Sequence, residues 1–216
     1  WRWMYYRRFR GVIQTFLRLM FSLFVIAFLS GCMTTKSYVD PTYGKTAYSD
    51  IKSVATPYNS NVSVEFRRNG THFARADSEL RGHVERTLRA SGVVVPGAAG
   101  ANYSIRVIVN NVGDVSGAAA KGFATGLTLG AAGSLVTDYY EATIELVDAD
   151  GNTHSGSYKH ALHTTIGNKR APFNMQPTTP ADAFGRVVEQ TVLNFIKEMQ
   201  EQGLLSFCEP VLPARA

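Results

Sequence analysis

Apolar and polar residues alternate with period two in three stretches. Val62, Val64 and Phe66 alternate with Ser63, Glu65 and Arg67. Tyr103, Ile105, Val107 and Val109 repeat the pattern, and so do Tyr140, Ala142, Ile144 and Leu146 against Glu141, Thr143 and Glu145. Each predicts a half-buried strand. Tyr158, Leu162, Thr164 and Ile166 share one parity and predict a fourth, reached through the Asp150-Gly151 turn. Two other stretches switch to helical spacing. Leu80, Val84, Thr87, Leu88 and Ser91 fall on one face, with Asp77 as the expected cap and Gly92 as the stop. Thr179-Pro180-Ala181-Asp182 is a capping arrangement with Pro at the first helical position. Behind it Phe184, Val187, Val188, Val192, Phe195, Ile196 and Met199 form a wide apolar stripe, ended by Gly203.

Between them lie the Asn69-Gly70 turn, the short apolar run Val93–Val95 closed by Pro96, and a glycine-rich loop at 97–100. The order is β, α, a short β, β, an insert, β, β, α. It predicts an α+β fold: a two-layer α/β sandwich with a mostly antiparallel sheet of about four strands and two helices on one face. Residues 61–205 form the expected domain and 206–216 a tail. Residues 33–60, rich in Thr, Ser, Tyr, Pro and Lys, show no sustained period and read as a flexible tether.

The insert, 116–137, reads SGAAAKGFATGLTLGAAGSLVT and carries one charge, Lys121. Ala118, Gly122, Gly126, Gly130 and Ser134 fall four apart. On a helix they would form one small-residue stripe, a glycine zipper of the kind that lets backbones approach closely in lipid. Glycine costs a helix roughly 0.8–1.0 kcal/mol against Ala in water. The segment therefore needs a membrane or tight packing to be helical. Its uncharged run of 16 residues from Gly122 to Thr137 falls just short of the ~17–25 that span a bilayer as a helix. A membrane-inserting hairpin and a plain surface loop are the other readings.

Composition changes the picture at the N-terminus. The chain has 216 residues and a formal net charge of +5. All of that excess lies in residues 1–31, which hold Arg2, Arg7, Arg8, Arg10 and Arg18 and no acid. The remainder has 17 basic and 17 acidic residues, so global charge gives no reason to expect nucleic acid as a partner. With Met4 as the expected start, a basic segment leads into the uncharged LMFSLFVIAFL of Leu19–Leu29. This is a secretory signal pattern, too short to span a bilayer as a helix.

Leu29-Ser30-Gly31-Cys32 follows at once, and it resembles the lipobox of bacterial lipoproteins. The resemblance implies cleavage before Cys32 and acylation of its thiol and amine, palmitate included. Several acyl chains would anchor the chain stably, since each buried CH₂ contributes about 0.8 kcal/mol. Met33, in place of Asp, implies sorting to the outer membrane, with the domain on the periplasmic side. Lipobox, small α/β domain and Gly/Ala segment together are similar to two groups of outer-membrane lipoproteins, the conjugal surface-exclusion and the curli secretion lipoproteins. In both, a small domain assembles into a ring. The domain order also resembles small monomeric envelope lipoproteins such as the lipopolysaccharide-assembly plug.

Candidates for chemistry are weak. His160 and His163 sit three apart on a strand and face opposite ways, so they cannot share a metal. His154 and His160 share parity but lie about 20 Å apart at ~3.3 Å per residue. His72 and His83 read as exposed. Gly133-Ser134 lacks the flanks of a nucleophile elbow. Glu141 and Glu145 read as the solvated side of a strand, and Arg67, Arg68, Arg75, Arg81, Arg86 and Arg89 as a solvated face that could also meet lipid phosphates. Cys208 has no evident partner. No catalytic, metal or cofactor site is expected. The leading expectation is a non-enzymatic lipoprotein acting through homo-oligomer formation or membrane association. The alternative is a monomeric binding or chaperone module for a lipid, glycan or envelope protein, with a groove between helix and sheet and the insert as its lid.

Overall fold

The computed structural model describes residues 20, 35–44, 46–97, 99–113, 133–171 and 175–206. The fold is α+β. Its strands are β1 (Thr35–Val39), β2 (Tyr58–Arg68), β3 (Thr71–His72), β4 (Val94–Pro96), β5 (Tyr103–Val112), β6 (Ser134–Val147) and β7 (Thr153–Ile166). Its helices are α1 (Asp77–Ser91) and α2 (Pro180–Glu201), with single 3-10 turns at Tyr48–Asp50 and Ala74–Ala76. The strands form one sheet in the order β1-β7-β6-β5-β2-β3, and β4 also pairs with β2.

Seven strands replace the expected four. β3 arises because Asn69 and Gly70 both take positive φ, which turns the chain back on itself as a short hairpin. β1 falls inside the segment expected to be a tether. It pairs antiparallel with β7 from Thr35↔Ile166 to Val39↔Leu162. A five-residue edge strand leaves too little alternation to be read from sequence. Other described residues of that segment are also attached to the fold. Tyr43 stacks on His160 with centroids 5.1 Å apart, and the Tyr48 hydroxyl donates to Glu189 at 3.1 Å. The sheet is mostly antiparallel, but β2 runs parallel to β5 and to β4, because α1 carries the chain back between them.

Both helices cover one face. That face presents Phe66, Ile105, Val107, Val109, Ala142, Ile144 and Leu146 to Leu80, Val84 and Leu88 of α1 and to Val188, Val192, Phe195, Ile196 and Met199 of α2, all in one buried cluster. These side chains fill the space where the binding-module reading placed a groove. Burial of each large aliphatic or aromatic side chain contributes about 1.5–3 kcal/mol. Polar ties also cross the interface. The Tyr158 hydroxyl donates to Glu198 of α2 at 2.5 Å, and burial followed by that carboxylate pushes its pKa up. Gly156 makes room for this ring, since a Cβ there would lie 2.2 Å from the Tyr158 oxygen. Gly185 of α2 does the same for His83 of α1, whose ring would meet a Cβ at 2.6 Å.

Asp77 has a different job from the cap expected of it. It is the first helical residue, and its carboxylate accepts from the Phe66 backbone at 2.8 Å and pairs with His72 at 2.7 Å. Arg81 donates to the Val62 carbonyl at 2.7 Å. Together they occupy outward-facing groups of β2 in the gap between β4 and β3, which blunts that edge against further strand pairing. Thr179 is the cap of α2 as expected, accepting from the Asp182 N–H at 3.1 Å.

Candidate functional site

Strand register puts several unusual features at one end of the sheet. Thr35 of β1, Ile166 of β7 and Ser134 of β6 lie in one cross-strand row. Cys32 is three residues before Thr35, a reach of at most about 11 Å. The insert leaves at Gly113 and returns at Gly133. β5 ends with Val112 opposite Tyr139, while β6 runs on to Ser134 beside β7. The two roots are thus about 17 Å apart along β6, at ~3.4 Å per residue.

Both roots are fixed. Gly113 donates its N–H to the Asn69 side chain and accepts from it, each at 3.1 Å. Asn111 beside it donates to Asp138 at 3.2 Å. Gly133 takes φ +58, and a Cβ there would lie 2.6 Å from the Lys169 backbone nitrogen. Only glycine fits both constraints. Ser134 follows as a buried residue whose hydroxyl has no partner among the described residues.

On the sheet face away from the helices, His163 links three strands. Its Nε2 lies 3.1 Å from Asp40, just past β1, and its Nδ1 lies 2.9 Å from the Thr137 hydroxyl of β6. Asp40 also accepts from the Thr42 N–H at 2.8 Å and hydroxyl at 2.7 Å. Burial pushes the Asp40 carboxyl up, but the bonds from Thr42 and His163 outweigh it and hold the group below its usual range. Hydroxyl, imidazole and carboxylate in this order are also the parts of a nucleophilic relay. Here they tie the edge strand to the sheet. Thr137 and His163 share a face by parity and could have been paired from the sequence. Asp40 could not, because β1 itself was not legible. Next to this series, Val112 and Tyr139 are directly opposed and exposed, Tyr139 by 52%.

The remaining histidines separate as follows. His160 is buried on the helix side, accepts from the Ala161 N–H at 2.9 Å and meets Gln190 at 2.6 Å. It is a satisfied core histidine facing away from His163. His154 pairs with Asp148 at 3.0 Å in the β6–β7 turn, and with the turn amides it lowers the Asp148 pKa to about 2. His83 was expected to be exposed but is largely buried between the helices, where burial and then Arg86 push its pKa down. Among the described residues no group of three metal-ligating side chains stands together.

Charged candidates resolve into a solvated ion-pair surface. Glu65 meets Arg67 at 2.7 Å and Arg106 at 3.2 Å, Arg106 reaches Glu145 at 3.9 Å, and Lys159 lies 3.7 Å from Glu141. Arg81 and Arg89 flank Glu85, and Arg68 lies over the Phe73 ring at 4.6 Å. Of the predicted packing stripe, Ala118, Gly122, Gly126 and Gly130 lie outside the described residues, as do Cys32 and Cys208. Ser134 is described, and it opens a strand rather than closing a helical stripe. Ser134–Thr137 therefore belong to the sheet, and the insert ends at residue 133. No described helix is long and apolar enough to cross a membrane.

No protein-family model matches the chain, and no curated protein matches it either. Among solved structures it is similar to the PelC dodecamer from Paraburkholderia phytofirmans, with a TM-score of 0.35 and 15% identity over 76% of this chain and 98% of that one. It is also similar to a minor lipoprotein from Acinetobacter baumannii, with a TM-score of 0.33 and 16% identity over 72% of this chain and 99% of that one.

Proposed function

We propose that this chain is a non-enzymatic lipoprotein of the bacterial outer membrane, anchored by acyl chains on Cys32, which acts through association in or at the bilayer. The observation that carries the reading is Leu29-Ser30-Gly31-Cys32 directly behind the uncharged run Leu19–Leu29. The register of the sheet supports it. Thr35, three residues from the anchor, shares a row with Ser134, where the Gly/Ala insert rejoins the sheet. An anchor at Cys32 would therefore hold this end of the domain, and the insert with it, close to the membrane. The exposed Val112–Tyr139 pair lies beside the first root of the insert, about 17 Å from that row along β6, and offers apolar surface to lipid or to a second copy.

The test is the mass of the intact protein extracted from membranes of a bacterial host into mild detergent and corrected for bound detergent. The expected species starts at Cys32, carries acyl chains and forms a discrete multimer. Cys32→Ala is expected to remain unacylated. In that background, deleting residues 117–132, which leaves β6 and the Gly133 root in place, is expected to lower oligomer order or membrane retention. An unmodified Cys32 would refute the anchor, and a deletion without effect would refute the role given to the insert.

A further inference from the structure

Charged side chains meet between the two helices. Asp182, Gly185, Arg186 and Glu189 recur at helical spacing and share one face of α2. His83, Arg86 and Thr87 share one face of α1 in the same way. The two faces are opposed, because Gly185 lets the His83 ring come up against α2. With Thr178 these residues line one open cleft of about 230 Å³. Its volume is below the roughly 300–1,000 Å³ of drug-sized sites, so its ligand is small. Thr178 is bonded to Ser37 of β1, so one rim of the cleft adjoins the strand that leads from Cys32.

The lining holds both signs of charge without pairing them. Among the described residues neither Arg86 nor Arg186 has a carboxylate within ion-pair distance. Arg86 lies 3.4 Å from the His83 Nδ1. Each carboxylate uses one oxygen elsewhere: Asp182 accepts from the Thr179 hydroxyl at 2.7 Å, and Glu189 from the Tyr48 hydroxyl at 3.1 Å. The other oxygen of each has no partner among the described residues. Glu79 lies 3.9 Å from the His83 Nε2, outside the lining. His83 adds no third cation near neutral pH, because burial followed by Arg86 pushes its pKa down.

These charges select among ligands. A simple anion would meet two carboxylates, and a simple cation two guanidinium groups. An uncharged molecule would strip water from all four. A molecule with one anionic and one ammonium group meets both pairs. Its anion must serve guanidinium groups from two helices. A planar carboxylate is matched by a single guanidinium fork, whereas the oxygens of a tetrahedral phosphate point in several directions. We propose that this cleft binds a phosphoethanolamine group, with the phosphate between Arg86 and Arg186 and the ammonium on Asp182 and Glu189. A lipid headgroup and a water-soluble phosphodiester both carry that group. The lipid source rests on the membrane anchor proposed above. Binding of the soluble compound does not, so the two proposals fail separately.

The experiment is a phosphorus NMR titration of the full chain in maltoside micelles with glycerophosphoethanolamine. Saturable binding is expected. Glycerophosphate, which lacks the ammonium, and glycerophosphocholine, whose ammonium has no N–H, are each expected to bind about 10-fold more weakly, the scale of one lost hydrogen bond to a charged group. Arg86→Gln and Arg186→Gln each weaken binding by a similar factor. Both side chains are exposed, so thermal unfolding stays unchanged. Glu189→Gln weakens glycerophosphoethanolamine but not glycerophosphate. Micelles doped with lysophosphatidylethanolamine separate the sources: binding of this lipid as well assigns a headgroup, binding of the soluble compound alone assigns a free solute, and either supports the site. Three results would overturn the proposal: no binding to folded protein, binding unaffected by both arginine variants, or displacement of the ligand by equimolar glycerophosphate or alanine.

Discussion

The two ends of the sheet are built differently. At the Thr35–Ser134 end, part-buried polar groups are tied across strands: Asp40 and Thr137 on His163, and Asn111 on Asp138. Apolar groups there are exposed, Val112 and Tyr139 above all. At the other end the polar groups are open to solvent, and the tightest feature is the β6–β7 turn. In that turn Asp148 accepts from the N–H groups of Asp150 and Asn152 at 3.0 and 2.9 Å. One core, covered by α1 and α2, supports both ends. Part-buried polar ties beside exposed apolar surface suit an end held against lipid or another copy. Open polar groups suit an end facing water.

The largest effect that could break this comparison is on location. Cys32→Ala is expected to move the protein from the membrane to the soluble fraction on fractionation, apart from whatever the insert retains. Wild-type distribution in the variant would remove the reason for calling one end membrane-proximal.

The shared core comes next. Ile196 is fully buried in the cluster between helices and sheet, and Ile196→Ala is expected to cost about 2–5 kcal/mol in urea unfolding. The cost should appear equally to probes placed at either end, because both rest on the same helices. A loss seen at one end alone would show that the ends unfold as separate units. A smaller and local effect is expected at the second root of the insert. Gly133→Ala must strain a positive φ and meet the Lys169 backbone, so roughly 1–3 kcal/mol is expected. A neutral outcome by thermal unfolding would mean that the insert can leave the sheet by another path.

Acid sharpens the contrast further. Asp148 and Asp40 both have lowered pKa values in the folded state. The unfolded chain then binds the proton more readily, so each contributes stability above the ordinary carboxylate range and loses it as pH falls. For Asp148 the loss runs from about pH 4 down to about 2. Asp148→Asn is expected to flatten that part of the stability-pH curve at the turn while Asp40 keeps its own contribution. An unchanged curve would show that the turn pairing is not maintained in solution. The smallest effect on stability is expected for Tyr139→Ser, within about 0.5 kcal/mol for an exposed site. The same change is expected to lower multimer order, and native mass spectrometry would show it.

The elements that form the core were readable because their apolar residues recur at period 2 or 3.6. β5, β6, α1 and α2 all announce themselves in this way. What the pattern could not show is what depends on distant pairing. β1 is short and polar at its start, and it is a strand through its ladder with β7 and a bridge from Ser37 to Thr178, all more than a hundred residues away. The register Thr35↔Ile166↔Ser134, which brings anchor and insert together, follows from that ladder. The stripe of small residues was read one residue too far, because Ser134 fits a four-residue spacing as well as it fits the strand it opens. The helix-side role of His160 was legible from parity, whereas burial of His83 depends on how closely Gly185 lets the helices approach.

The central claim, that the Thr35–Ser134 end lies against the membrane, is tested most directly by fluorescence quenching in vesicles. The acylated protein would carry a single fluorophore at Tyr139 or at Asp150, and the lipids would carry spin labels on their headgroups. The account predicts strong quenching at Tyr139 and little at Asp150. Equal quenching at the two positions, or stronger quenching at Asp150, would contradict it.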